Sequence, residues 1–139
     1  MADTVLSVAL RNEASELLRL AALVERFGED HQVSGDDVMK INLVLDEIVA
    51  NVIRHGKAGD HETQVSLALD GRLLKIDVDD AGVAFNPLEA PPPIFDVPLE
   101  ERRPGGLGIH IVKTLAESVT YTRNNDRNHL TVKMRLEDQ

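Results

Sequence analysis

Cysteine is absent from these 139 residues, which excludes a disulfide framework and a thiolate metal cluster. Runs of about 18 apolar residues, the length that spans a membrane as a helix, are also missing. The N-terminal MADTVLSVAL opens on polar residues with no basic stretch ahead of a hydrophobic one, so no secretory signal is read there. Basic charge is scarce: 15 Lys and Arg face 24 Asp and Glu, a formal net charge of −9. That balance opposes a phosphate-backbone partner such as DNA or RNA. A small anion would need local attraction from helix N-termini, a bound cation or a few placed arginines. The expectation is a soluble cytoplasmic protein of one domain spanning 1–139, long enough to bury a real core.

What is present has a clear order. TVLSVAL (4–10) has strand length, and EASELLRLAALVERFG (13–28) carries leucines at helical spacing. Ser34, followed by Asp36 and Asp37, reads as the capped start of a second helix that runs to about His55 and stops at Gly56. In QVSLALDGRLLKIDVDD (64–80) the apolar residues alternate on both sides of Asp70-Gly71, which predicts a β-hairpin with a type I′ turn. From Pro87 to Pro104, a segment holding all six prolines, no period is visible. A long unpatterned stretch of this kind reads as a functional loop or lid, about 87–105. A third helix is expected from Gly108 to about Glu117, then VTYTR and HLTVKMRL as a closing hairpin around Asn124, Asn125 and Asp126. Hairpin strands with helices grouped in sequence predict an α+β two-layer sandwich, a mixed, mainly antiparallel sheet with helices on one face.

Three stretches carry chemistry. In the second helix Ile41, Leu45, Ile48, Val49 and Val52 form one apolar stripe, and Glu47 and Asn51 fall together on its shoulder. Such a pair lies along the margin where a helix can line a pocket, although a solvated Glu and a rim Asn are the more ordinary reading of these two residues alone. In DDAGVAFNP (79–87) Asp80 stands at a strand end with Gly82 two residues on. A carboxylate there accepts a hydrogen bond from the exocyclic amine of adenine, where guanine presents a carbonyl, and the glycine permits close approach. A plain turn closing the strand is the alternative. In RRPGGLGIHIVKTLAE (102–117) Gly105, Gly106 and Gly108 lead into a periodic helix, whose N-terminal N–H groups suit phosphate. A Walker A loop is excluded, because Val112 stands where that motif carries the glycine before its Lys-Thr.

In order and spacing, EIVANVIRHG, DDAGVAFNP and GGLGIHIVK resemble the N box and the two glycine boxes of the GHKL (Bergerat-fold) ATPase superfamily. Within it the chain is most similar to the RsbW-like anti-sigma factor serine kinases, over nearly its whole length. The resemblance implies Glu47 as general base and Asn51 as a ligand of the Mg²⁺ that accompanies ATP. It implies Asp80 as the reader of adenine, with Gly82, Gly105, Gly106, Leu107 and Gly108 shaping the nucleotide pocket. Arg103, with Arg102 beside it, could neutralise charge from the lid. His55 matches a histidine common in that N box, where a cap or packing role is as good a reading.

The function so implied is an anti-sigma factor that is also a protein serine kinase. It would transfer the γ-phosphoryl of ATP to a serine of an anti-anti-sigma, STAS-type protein in a partner-switching cycle with a sigma factor. Homodimerisation comes with the resemblance. One alternative is an ATP-binding module that sequesters its partner without phosphorylating it. Another is a detached histidine-kinase ATP-binding domain, although no dimerisation helix with a phosphoacceptor His precedes the N box and AGVAFNP departs from the glycine-richer box of those enzymes. Asp77 and Asp79 alternate with apolar residues and are read as an outer strand face. His31, His61, His110 and His129 have no spacing suited to a zinc site.

Overall fold

The computed structural model describes residues 3–55, 62–89 and 106–138, with the backbone alone for His55, Gly106 and Leu107. Five strands, β1 (Asp3–Leu10), β2 (Thr63–Asp70), β3 (Leu73–Asp80), β4 (Ser118–Asn124) and β5 (Arg127–Arg135), form one sheet in the order β1-β2-β3-β5-β4. All four pairings are antiparallel. Helices α1 (Glu16–Asp30), α2 (Gly35–His55) and α3 (Gly106–Leu115) complete the described elements, with a short 3-10 turn at Pro87–Glu89.

Period-two alternation decides which side of the sheet is dry. Val65 and Leu67 of β2, Leu74, Ile76 and Val78 of β3, and Leu130, Val132 and Met134 of β5 are all buried. They join Leu20 and Val24 of α1, Ile41, Val44, Leu45, Ile48 and Val49 of α2, and Ile109 and Val112 of α3 in one core. Asp77 and Asp79 have the opposite parity and lie on the outer face, as expected. There both ring nitrogens of His129 meet a carboxylate, Nδ1 with Asp79 at 3.2 Å and Nε2 with Asp77 at 3.0 Å.

The turns obey local stereochemistry. Asp70 pairs with Leu73, so the two central residues are Gly71 and Arg72, one position later than read from the sequence. Gly71 has φ 62 and Arg72 is not among the positive-φ residues. A type I′ turn needs positive φ at both central positions; a positive value at the first alone belongs to type II′. The closing hairpin does take the I′ pattern, with Asn125 at φ 53 and Asp126 at φ 63, both residue types that tolerate the left-handed region.

Helix starts are secured by side chains. Ser34 Oγ accepts from Asp37 N at 3.1 Å at the head of α2, the arrangement expected of an N-cap. Buried Asp37 accepts from Glu137 N at 2.7 Å, fastening that helix to the C-terminal end. At α1, Glu16 is buried and accepts from Arg11 N and from Arg19, which in turn donates to Ala9 O. The Arg19 side-chain bond, followed by the Arg11 backbone bond, lowers the Glu16 pKa to about 2.

A depressed carboxylate stabilises the fold above its unfolded value of 4.5 and loses that contribution as pH falls towards about 2. The Glu16→Gln variant is expected to melt below the parent at pH 6, with the gap closing as the pH is lowered through that window. A gap that stays constant down to pH 2 would remove Glu16 from the acid-sensitive set.

Candidate functional site

The rotation of α2 is set by burial of Ile41, Val44, Leu45, Ile48 and Val49, each at most 2% exposed. One turn apart on the margin of that stripe stand Glu47 and Asn51. Asn51 is buried and its Oδ1 accepts from Arg54 Nη1 at 2.9 Å. Glu47 is half-buried, and its Oε2 is a buried oxygen without a hydrogen-bond partner among the described residues. Burial pushes the Glu47 carboxyl above the usual carboxylate range; the charge of Arg54 pulls it back and that of Asp46 adds to the rise. A carboxylate that loses water and finds no donor is an expensive group to keep, and a raised proton affinity suits a base.

The opposite wall is α3. A Cβ placed on Gly108 would lie 1.7 Å from Glu47 Oε2 and 2.0 Å from its carboxyl carbon. Gly108 stands in the first turn of α3, whose N–H groups have no partner within the helix. The glycine therefore lets a helix N-terminus, the positive end of its dipole, come flush against the carboxylate of α2.

At the sheet end, Asp80 and Asn128 are opposed in the β3–β5 register and both are buried. Asp80 Oδ1 accepts from Gly82 N at 2.8 Å and from Asn128 Nδ2 at 3.2 Å, while Oδ2 takes no hydrogen bond among the described residues. Asn128 Nδ2 also donates to Val83 O at 2.8 Å, and its Oδ1 accepts from Phe85 N at 3.3 Å and from the Tyr121 hydroxyl. All four hydrogen-bonding positions of the amide are thus used. A carbonyl on one side and an N–H on the other fix which way it points. Arg123 Nη1 donates to Gly82 O at 2.8 Å from β4.

These groups surround one cavity. Its polar lining is Asn51, Asp80, Tyr121 and Asn128, and its apolar walls include Ile48, Val78, Phe85 and Leu130. The cavity is small and partly open.

The family model described as the histidine kinase-like ATPase domain matches residues 10–134. The chain belongs to this family. Among curated relatives, the serine/threonine-protein kinase BtrW of Bordetella bronchiseptica is 28% identical over 94 residues, covering 66% of this chain and 66% of BtrW. The anti-sigma F factor of Bacillus cytotoxicus is 28% identical over 121 residues, covering 85% of this chain and 80% of that protein. Among solved structures, the RsbU and RsbW domains of a Mycobacterium tuberculosis protein superpose with a TM-score of 0.71 at 17% identity, over 96% of this chain and 33% of that one. The SiaB–SiaC complex of Pseudomonas aeruginosa gives 0.65 at 12% identity, over 94% and 89%. The resemblance to RsbW-like anti-sigma kinases read from the motifs stands beside these relatives, and the solved structures share the fold.

Of the residues expected from the motifs, Asn51 and Asp80 line the same cavity, Gly82 N donates to Asp80, and Gly108 meets Glu47. Gly106 and Leu107 form the first residues of α3, which starts two positions earlier than the Gly108 expected. The side chains of Leu107 and His55 lie outside the described residues, as do Arg102, Arg103, Gly105 and the stretch 90–105 expected to form most of a lid.

Two residues escaped the sequence reading. Asn128 shares the parity of Leu130 and Val132 along β5, so a polar side chain on the core-facing register was its signal. Arg54 stands three positions after Asn51 on the same helix face, and that spacing was its signal.

Gly108→Ala is expected to displace the Glu47 side chain or part α2 from α3, lowering the melting temperature; the double variant Gly108→Ala, Glu47→Ala should recover most of the loss. Equal melting of parent and Gly108→Ala would show that the contact tolerates a methyl group. Replacing Asn128 by Ala leaves several buried partners unpaired and should cost about 2 kcal/mol or more in a denaturant titration; a cost near zero would dismiss the four-bond hub.

Proposed function

We propose that this chain binds Mg-ATP and transfers its γ-phosphoryl group to a serine of an anti-anti-sigma, STAS-type protein, acting in partner switching with a sigma factor. The observation that carries the reading is Glu47 Oε2, buried without a hydrogen-bond partner among the described residues, one helical turn from Asn51 and against the N-terminal turn of α3. Kinship with the histidine kinase-like ATPase family supports ATP as the nucleotide. The names of the relatives, a serine/threonine kinase and an anti-sigma factor, support the acceptor and the partners. A homodimer and a single nucleotide-binding unit with its lid near 87–105 belong to the same reading.

The chemistry follows from the placement. Asp80 has one oxygen occupied by Gly82 and Asn128 and the other without a described partner, so it can accept from the exocyclic amine of adenine. Guanine offers an oxygen there and is repelled. The N–H groups at the start of α3 attract the phosphates. Glu47 takes the proton of the serine hydroxyl as the oxygen forms its bond to the γ-phosphorus. The bond from that phosphorus to the β,γ-bridging oxygen breaks, and ADP departs with the electron pair.

The donor set fits Mg²⁺. Among the described residues no three or more His, Cys, Asp or Glu are grouped to hold a metal, whereas Mg²⁺ binds through one or two protein oxygens with phosphates and waters completing its shell. Asn51 Oδ1 is such an oxygen. When bound, the ion neutralises charge on the phosphates.

Purified protein incubated with Mg-ATP and an anti-anti-sigma partner should place phosphate on one serine, and Glu47→Gln should still bind ATP while transfer falls by about a hundredfold or more. Binding of the partner without any transfer would leave an ATP-binding sequestering module. An acid-labile product would instead indicate histidine as acceptor. Asp80→Asn should weaken ATP binding more than Glu47→Gln does, and equal affinities in calorimetry would dismiss Asp80 as the adenine reader.

Transfer should also rise with pH through a value above the ordinary 4.5 of a glutamate, because burial favours the protonated carboxyl that cannot act as base. A rate already flat at pH 5 would contradict a proton-accepting Glu47.

A further inference from the structure

Three polar residues stand side by side at one end of the sheet. Asp80 of β3 is opposite Asn128 of β5, and Asn128 is opposite Arg123 of β4. The row two positions further in, Val78, Leu130 and Tyr121, lines the cavity, so by the parity of a strand the polar row has the same core-facing side. Each member of it holds the loop that follows β3. Asp80 Oδ1 accepts from Gly82 N at 2.8 Å, Asn128 bonds Val83 O and Phe85 N, and Arg123 Nη1 donates to Gly82 O at 2.8 Å. Gly82 is thus gripped at its N–H by the carboxylate and at its carbonyl by the guanidinium.

We propose that Arg123 is a positioning residue for adenine recognition, fixing Gly82 so that its N–H occupies one oxygen of Asp80 and leaves the other for the base. This inference rests on the Mg-ATP reading above. Glycine has the widest backbone freedom of any residue and no side chain to anchor it, so the partners of its N–H and C=O decide how it sits. A bond from a charged guanidinium is a strong one for this purpose. Arg123 is exposed, so its charge stays hydrated while one nitrogen reaches the loop. With the guanidinium removed, the Gly82 carbonyl turns to water, the glycine is released, and Asp80 loses a fixed donor. Its carboxylate is then no longer held in one orientation towards the exocyclic amine.

A cation that merely attracted the triphosphate would act on every nucleotide alike, and on the phosphates without a base. A residue that orients Asp80 through Gly82 acts on the base alone.

Calorimetric titration of Mg-ATP and Mg-GTP into wild type, Arg123→Ala and Arg123→Lys separates the two, with Mg-tripolyphosphate as a ligand that carries the phosphates and no base. Arg123→Ala should melt close to wild type and bind Mg-ATP about fivefold more weakly. Its affinity for tripolyphosphate should stay within about twofold of wild type, and its preference for ATP over GTP should shrink in step with the loss of ATP affinity. Arg123→Lys, which can still donate to the Gly82 carbonyl, should recover part of the loss. Equal losses for ATP and tripolyphosphate would make Arg123 a source of charge alone and overturn the proposal, as would unchanged ATP binding. A large fall in melting temperature with the preference for ATP intact would make it a support of the fold and overturn it too. Wild type failing to bind Mg-ATP would overturn the nucleotide reading itself, and wild type binding ATP and GTP alike would overturn Asp80 as the adenine reader; either result takes this inference with it.

Discussion

The arrangement depends on one constraint, the burial of a single stripe of α2. Val44 and Ile41, fully enclosed, with Leu45, Ile48 and Val49 beside them, leave the helix one rotational setting against the sheet. Each such side chain contributes roughly 1.5–3 kcal/mol when fully buried, so the stripe outweighs the cost of drawing one carboxylate partly out of water. Glu47 and Asn51 are carried to the margin as a consequence. The strain appears where it is chemically useful, as a carboxyl whose proton is held more tightly than usual and whose Oε2 has no described donor. Gly108 then decides how closely α3 can approach, and with it how near a helix N-terminus comes to that carboxyl.

A second constraint is the antiparallel register of β3 and β5. It sets Asp80 opposite Asn128 at the ends of the strands, where the chain leaves the sheet and backbone groups need partners. Asn128 satisfies Val83 O and Phe85 N while holding one oxygen of Asp80. The loop after β3 is thereby tied to the sheet by side chains rather than by a ladder. Such a tie can loosen without unfolding the strands. The two constraints meet at Asn51, which belongs to α2 and lines the cavity beside Asp80.

Much of this was legible before any coordinates. Alternation in β2 and β3, the Ser34 cap and the two glycine-bearing stretches name the elements, because period and local stereochemistry act over a few residues. What failed was subtler. Asp70-Gly71 suggested one turn type, but the side on which the strands close their ladder decides which two residues are central, and that is a property of the pair. Asn128 was passed over because a polar residue in a strand is unremarkable until the partner strand is known, although its inward parity gave it away in principle. Arg54 was passed over because an arginine near a helix end is ordinarily solvated; only its reach back to Asn51 separates it from that rule. The roles proposed for Glu47, Asn51 and Asp80 came from the family resemblance that the order of three motifs carries.

The central claim is that the α2 face, the start of α3 and the β3 end form one adenine-nucleotide site. Amide NMR of the protein titrated with Mg-ATP, and separately with Mg-GTP, tests it most directly. The account predicts that Glu47, Asn51, Gly82, Phe85, Gly108 and Asn128 shift together along one saturation curve with ATP and stay nearly unmoved with GTP. Shifts confined to one of these elements, or the same response to both nucleotides, would contradict it.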